Sequence, residues 1–370
     1  MNEERPNLRW IGGIEDELRK PFQPESPPEI VCIEMGFELT QLIDNTQKGE
    51  LGDHVKRARG GVSRELGFAV PVVHLRGRLD YPPNEYRIKV NGVLKWQDEC
   101  YPHKLWAERF SIFPRKRLPG KHIELKDLSS EAIWISKETR DEADKLGYHC
   151  LEPESRIAIH LSHVMKENGY QLLGYDATHQ LMEGLWQTHP QLVDALVPGR
   201  LSLVQVWEVL RGLLEQRLTL KRMLLITETM LKQAQSSQKL DELVNAVHQA
   251  LAHSQLEFLT GWREEQIPVI GFDNELCRAI FVHSYDDIDD FVESDFGVRF
   301  CKIVVEVEKL TQKRWPAVNR IFLVPSKIRY WTARVMARIS ENYHVYSPPE
   351  IPKDREANQI GVVKLVDIGG

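Results

Sequence analysis

Two histidines three residues apart, His160 and His163, are the first place where chemistry could reside, because that spacing on a helix brings two imidazoles to one side and can begin a metal site. No third ligand accompanies them, and His160 lies among Ile157, Leu161 and Val164, so it reads as a packing histidine. The acidic run Asp286, Asp287, Asp289, Asp290, Glu293 and Asp295 lacks the glycine and closing glutamate of a calcium loop and reads as a solvated face. Gly60 and Gly61 do not sit in the G-x-x-x-x-G-K-[ST] frame that cradles phosphates. Ser63 and Ser326 have no nucleophile-elbow context. Cys32, Cys100, Cys150, Cys277 and Cys301 are scattered with no C-x-x-C, so neither a disulfide framework nor a zinc site is expected. These residues predict a protein that is not an enzyme and needs no cofactor.

A basic cluster, Arg115-Lys116-Arg117 with Lys121, lies beside Pro114, Pro119 and Gly120 and reads as a solvated loop. With Trp106, Phe110 and Phe113 as stacking surfaces it forms the one nucleic-acid-binding alternative. The formal charge of −6 argues against that alternative, since such binding draws on clustered positive charge.

The elements that would position a binding surface follow from periodicity. A chain of 370 residues, 42% hydrophobic and 28% charged, is too long for one compact core. No run approaches the roughly 18–20 apolar residues that cross a bilayer, and the start MNEERPNLRW has no signal-peptide apolar stretch, so a cytosolic chain is expected. Residues 1–27, with Pro6, Pro21, Pro24 and Pro27, read as a linker. The remainder reads as α+β with several subdomains. An α/β first unit takes 28–101 and resumes over 153–172, with a small inserted α+β unit at 102–152. An all-helical unit follows at 173–252, and a C-terminal α/β unit at 253–370.

Within the first unit, Leu51, Val55, Ala58, Val62 and Leu66 make the apolar face of a helix that Gly67 stops. Tyr86, Ile88 and Val90 alternate with Arg87 and Lys89 before an Asn91-Gly92 turn. Residues 102–120 read as loop-rich, followed by a strand at Ala132–Ile135 and a helix from about Lys137 to Leu146 closed by Gly147. Pro153 and Pro190 suit helix starts, and Ser202 and Thr219 suit N-caps. In the last unit the expected strands are Ile267–Phe272, Ile321–Val324 and Tyr343–Tyr346, separated by helices.

Several ordered segments carry a family likeness: RELGFAVPVVHLR with PPNEYRIKVNGV, AIWISKETRDEADKLGYHCLEPESRIAIHL, QLMEGLWQTHPQLVDALVPGRLSLVQVWEVLRGLLEQRLTLKRM, and IPVIGFDNEL. Together they resemble the cytosolic half of the type III secretion export-gate family, the large component of flagellar and injectisome export machines. The resemblance implies a membrane domain ahead of this part, which would be its sole link to the membrane. It also implies a separate ATPase, whose stalk is a partner along with other export-apparatus proteins. Chaperone–substrate complexes would dock in a cleft between the first and inserted subdomains. There Leu128 stands at the family's aromatic position, Ile159 at its small polar one and Leu125 at its acidic one, with Asp127 close enough to stand in for the acid. A homo-nonameric ring is implied, with Glu215, Arg217 and Lys221 at the subunit contact, while Arg222 and Leu224 replace an acidic and basic pair of the family pattern. A purely structural ring component that binds no cargo is the alternative within the same family.

Overall fold

The computed structural model describes residues 29–43, 49–110, 118–119, 123–124, 130–260, 266–284, 287–312, 315, 320–340 and 342–368. The first sheet takes four strands in the order β2-β1-β3-β4. Its centre is β1 (Val31–Met35), where every residue is buried and only Glu34 is polar, as a strand covered on both faces requires. After β1 comes α1 (Leu51–Leu66), whose predicted stripe is the buried face. Gly67 ends it at φ 88, and a Cβ there would sit 2.6 Å from the backbone nitrogen of Lys221. Glycine is therefore needed twice, for the left-handed turn and for the close passage of the helical region, whose Leu220 donates to the Leu66 carbonyl at 2.7 Å. Next, β2 (Val73–Gly77) pairs parallel with β1, while β3 (Glu85–Val90) pairs antiparallel with it. β4 (Val93–Glu99) folds back from β3 through Asn91 and Gly92, both at positive φ, the conformation that suits a two-residue hairpin.

The inserted part forms an antiparallel sheet in the order β6-β7-β5-β8. It corrects the expected loop at 102–120, because β5 (Lys104–Phe110) is a strand at its centre, between β7 and β8. Leu105 and Ala107 face a small core while Trp106 is buried on the other face, so burial on both sides hid the alternation that marks a half-exposed strand. β6 (Ile123–Glu124) and β7 (Ser130–Ser136) follow, then α2 (Arg140–Lys145) and β8 (His149–Leu151), with Gly147 at φ 80 in the turn between them.

α3 (Pro153–Glu167) carries the chain back across the first sheet and packs on α1. α4 (Gly169–Leu172), α5 (Tyr175–Trp186), α6 (Pro190–Leu196), α7 (Leu203–Glu215), α8 (Met223–Gln233) and α9 (Leu240–Thr260) complete the helical region. Pro153 and Pro190 begin their helices as expected. Ser202 caps α7 in a reciprocal box: its Oγ accepts from Gln205 N at 3.2 Å, and its N donates to Gln205 Oε1 at 2.9 Å. Thr219 does not cap the next helix, which starts four residues later with Arg222 at the cap position. One apolar cluster runs from Val31 through Leu251, so the first sheet and the helical region share a core instead of forming separate units.

The third sheet is wholly parallel, in the order β11-β10-β9-β12. Its elements are β9 (Gln266–Phe272), α10 (Asn274–His283), α11 (Ile288–Glu293), α12 (Asp295–Gln312), β10 (Arg320–Leu323), α13 (Ser326–Ile339), β11 (Tyr343–Tyr346), β12 (Glu356–Val363) and α14 (Leu365–Ile368). β12, a partly polar edge strand, has no counterpart in the sequence reading. The expected boundary at 252/253 falls inside α9, whose Ala252 and Leu256 cover one face of this sheet while α10–α13 cover the other.

Candidate functional site

The first sheet and the inserted sheet meet at the start of α3. Pro153 opens the helix, and one turn in, Arg156 lies 3.5 Å over the ring of Trp106 from the inserted sheet. The same guanidinium donates to Asp98 of β4 at 2.5 Å, so one side chain ties both sheets to the helix. A cation over an indole face, held by a carboxylate, gains both quadrupole and ionic attraction. A turn further, His160 hydrogen-bonds the Tyr86 hydroxyl and lies 4.4 Å from the Trp96 ring. Burial first, then the positive charge of Arg156, push its pKa down to about 3, so the imidazole is neutral. His163 meets the edge of Trp96 at 5.7 Å. Both histidines are thus occupied as aromatic packing groups, and among the described residues no three His, Cys, Asp or Glu side chains converge.

Ile159 lies between these residues on the outward side of α3 and is 51% exposed, unlike Ile157 and Leu161, which are fully buried. An exposed isoleucine on this rim fits a contact surface better than a core. Leu125, Asp127 and Leu128 lie outside the described residues, as do Phe113, Arg115, Lys116, Arg117 and Lys121. Trp106, expected as a stacking surface for nucleic acid, is buried to 1% exposure under Arg156 and is not available for that role. Sequence spacing missed Asp98 and Arg156 because their pairing crosses 58 residues. The one local signal was a tryptophan in each of the strands that frame the helix.

Of the residues expected at a subunit contact, Glu215 and Arg217 lie at a second seam, between the helical region and the third sheet, while Lys221 lies beside Gly67 at the end of α1. Glu215, at the end of α7, accepts from Arg334 Nε at 2.7 Å. Arg217, held at φ 62, makes a two-pronged pair with Glu167, its Nη2 lying 2.7 Å from Oε2. Both charges are engaged within the chain, whereas Lys221 is exposed. Beside them is a buried polar cluster. Arg329 donates to Asn245 and Gln216, each at 2.7 Å, and lies 3.6 Å from Glu350. His248 lies 2.7 Å from Glu350, which also accepts from Ser347 N at 2.6 Å. Burial raises the Glu350 carboxyl, but His248, Arg329 and the Ser347 N–H outweigh it and hold the acid ionised. Burial and Arg329 keep His248 neutral, so its Nδ1–H donates to that carboxylate.

Of the acidic run, Asp287 caps α11, its Oδ1 accepting from Asp289 N at 2.8 Å, while Asp289, Asp290, Glu293 and Asp295 are exposed and Asp286 lies outside the described residues. No helix among the described residues is long and apolar enough to cross a membrane.

The model of the FHIPEP family matches residues 14–356. This chain belongs to the FHIPEP family. The flagellar biosynthesis protein FlhA of Bacillus subtilis is 28% identical over 367 residues, which cover 95% of this chain and 52% of that protein. The FHIPEP chain thus spans about half the length of that curated relative. Among solved structures it is similar to the Chlamydia pneumoniae CdsV and CdsO protein complex, with a TM-score of 0.71, 19% identity and coverage of 92% of this chain and 99% of the other. Nonameric EPEC SctV-C matches with a TM-score of 0.64 at 14% identity, covering 91% and 99%. At these identities the structural likeness establishes the fold, and the α+β architecture expected from the sequence agrees with it.

Proposed function

We propose that this FHIPEP chain is the cytosolic, non-enzymatic part of a type III protein-export gate, and that it receives chaperone-delivered export substrates at the seam between the first and inserted sheets. Family membership over 343 residues, counted from the matched span 14–356, supports the export role. The single observation that carries the docking site is the exposed Ile159 on α3, beside an aromatic and cationic junction that joins two separate sheets. Apolar area covered there contributes about 25 cal/mol per Å², and Asp98, Arg156 and His163 rim it with polar groups that fix orientation.

The proposal includes assembly into a ring, which the structural likeness to nonameric EPEC SctV-C supports. Because Glu215 and Arg217 are spent inside the chain, the subunit contact rests on Lys221 and on apolar side chains left exposed on the helical region, Tyr175, Trp186 and Val204. A ring of head-to-tail contacts needs complementary patches, which such a surface supplies. The proposal also includes attachment to the bacterial inner membrane and contact with the ATPase-complex stalk and other export-apparatus proteins; that a similar structure, CdsV, is a complex with a second protein, CdsO, supports a partner-binding role.

The test is a titration of the purified chain with a cognate chaperone–substrate complex, wild type against Ile159→Asp. A receptor loses at least tenfold in affinity with its melting temperature unchanged. Equal binding by the two proteins removes Ile159 from the site, and no binding by wild type, alone or as an assembled ring, leaves the purely structural ring component.

A further inference from the structure

The second seam encloses a cavity of about 10 Å³, lined from α9 by His248 and Gln255, from α13 by Ala333, from β11 by His344 and Tyr346, and from the turn after α7 by Arg217. One water molecule needs about 10–15 Å³ by this measure, so the space holds one and no more. The groups on its wall have hydrogen bonds left to make. His248 gives its Nδ1–H to Glu350, 2.7 Å away, which leaves Nε2 of the neutral ring as a bare acceptor to which no described residue donates. His248 is 4% exposed, so the cavity is where that nitrogen finds a donor. Gln255 accepts from the Tyr346 hydroxyl at 2.9 Å through Oε1, and its amide N–H groups remain free to donate. Burial first, then Arg217 and His248, push the pKa of His344 down to about 4, so this ring too is neutral and offers one donor and one acceptor nitrogen.

The wall decides what enters. Arg217, already bonded to Glu167, brings a positive charge that excludes a cation, and a bare imidazole nitrogen in so small a space excludes an anion. An apolar cavity of this size would stay dry. This one is polar, and buried polar groups left unpaired are costly. The occupant must donate to His248 and accept from Gln255 within the volume of a single oxygen atom, which is the chemistry of water.

We propose that this cavity binds one ordered water molecule, which donates to His248 Nε2, accepts from the Gln255 amide and takes the His344 ring as a third partner. The water joins α9 of the helical region to β11 of the third sheet. Because it donates to Nε2, it also holds the His248 proton on Nδ1, where Glu350 accepts it. The site is separate from the seam at α3 and does not depend on docking there.

A crystal structure of the chain that shows ordered solvent is expected to hold one water within about 3.2 Å of both His248 Nε2 and Gln255 Nε2. Two substitutions on the wall test what that water does. Ala333→Val fills the cavity with methyl groups, whereas Ala333→Ser brings in a hydroxyl. Imidazole 15N NMR of the full chain should show the His248 Nε2 resonance moving downfield in Ala333→Val, where the hydrogen bond from water is lost, and staying near its wild-type position in Ala333→Ser. In urea unfolding the folding equilibrium constant should fall at least tenfold in Ala333→Val and less than fivefold in Ala333→Ser. A cavity without solvent density, an ion in place of the water, an Nε2 resonance unmoved by Ala333→Val, a valine variant as stable as the wild type, or a serine variant as destabilised as the valine one would each overturn the proposal.

Discussion

The two seams of the molecule are joined by the same residue types in different surroundings. At the first, Arg156 spans Asp98 and Trp106 where the carboxylate's side chain is 30% exposed and Ile159 stands open to water. At the second, Arg329, Glu350 and His248 have side chains no more than 4% exposed. Removing a partner from a buried charge cluster strands the other charge, whereas removing one from a partly exposed pair lets water replace it. The second seam is therefore a fixed joint, and the first is one that a partner can cover or shift at small cost.

Substitutions can break the contrast in order of size. Glu350→Ala is expected to cost about 3–5 kcal/mol in urea unfolding, because Arg329 then remains buried without its carboxylate; a cost below 1 kcal/mol would put the two seams on a par. Next is pH. His160 has a folded-state pKa of about 3, below its unfolded value near 6.5, and it faces Tyr86, Trp96, Asp98, Arg156 and His163. The unfolded chain takes the proton first, so this stability is complete above pH 6.5 and is lost as pH falls toward 3, by about 2 kcal/mol between pH 7 and 5. The lowered carboxyl of Glu350 adds a loss in the same direction at more acid pH. His160→Gln should lessen the slope of the profile between pH 6.5 and 5, measured by urea unfolding at each pH, with the remaining slope carried by His248 and His344, which burial also holds below the usual imidazole range.

Arg156→Ala should cost about 1–2 kcal/mol and fall mainly on the inserted sheet, seen as faster amide exchange in β5 and β7 than in the third sheet. Ser202→Ala, in the capping box of α7 away from both seams, should cost about 1 kcal/mol and alter neither, a baseline for a local effect.

Much of this fold was legible because its signals are local. The α1 stripe, Gly67, the Asn91-Gly92 hairpin, Pro153 and Ser202 each state their role within a few residues, and each occurs where expected. β5 and β12 were not legible for opposite reasons: the first is covered on both faces and the second is a polar edge, so neither shows simple alternation. Thr219 has the right chemistry for a cap, but the chain turns through Arg217 and starts α8 later. The site was legible only through family resemblance, and only Ile159 of its four expected residues is within the described structure. The tie made by Arg156 to Asp98 and Trp106, and the pairing of Glu215 and Arg217 inside the chain, join residues 50 or more positions apart, which no spacing rule reaches.

Hydrogen exchange of the chain with and without a cognate chaperone–substrate complex tests the central claim most directly. The account predicts protection concentrated in α3 and β4, at the rim around Ile159, with the second seam at Arg329 and Glu350 unchanged. Protection confined to the second seam, or none at α3, would contradict it.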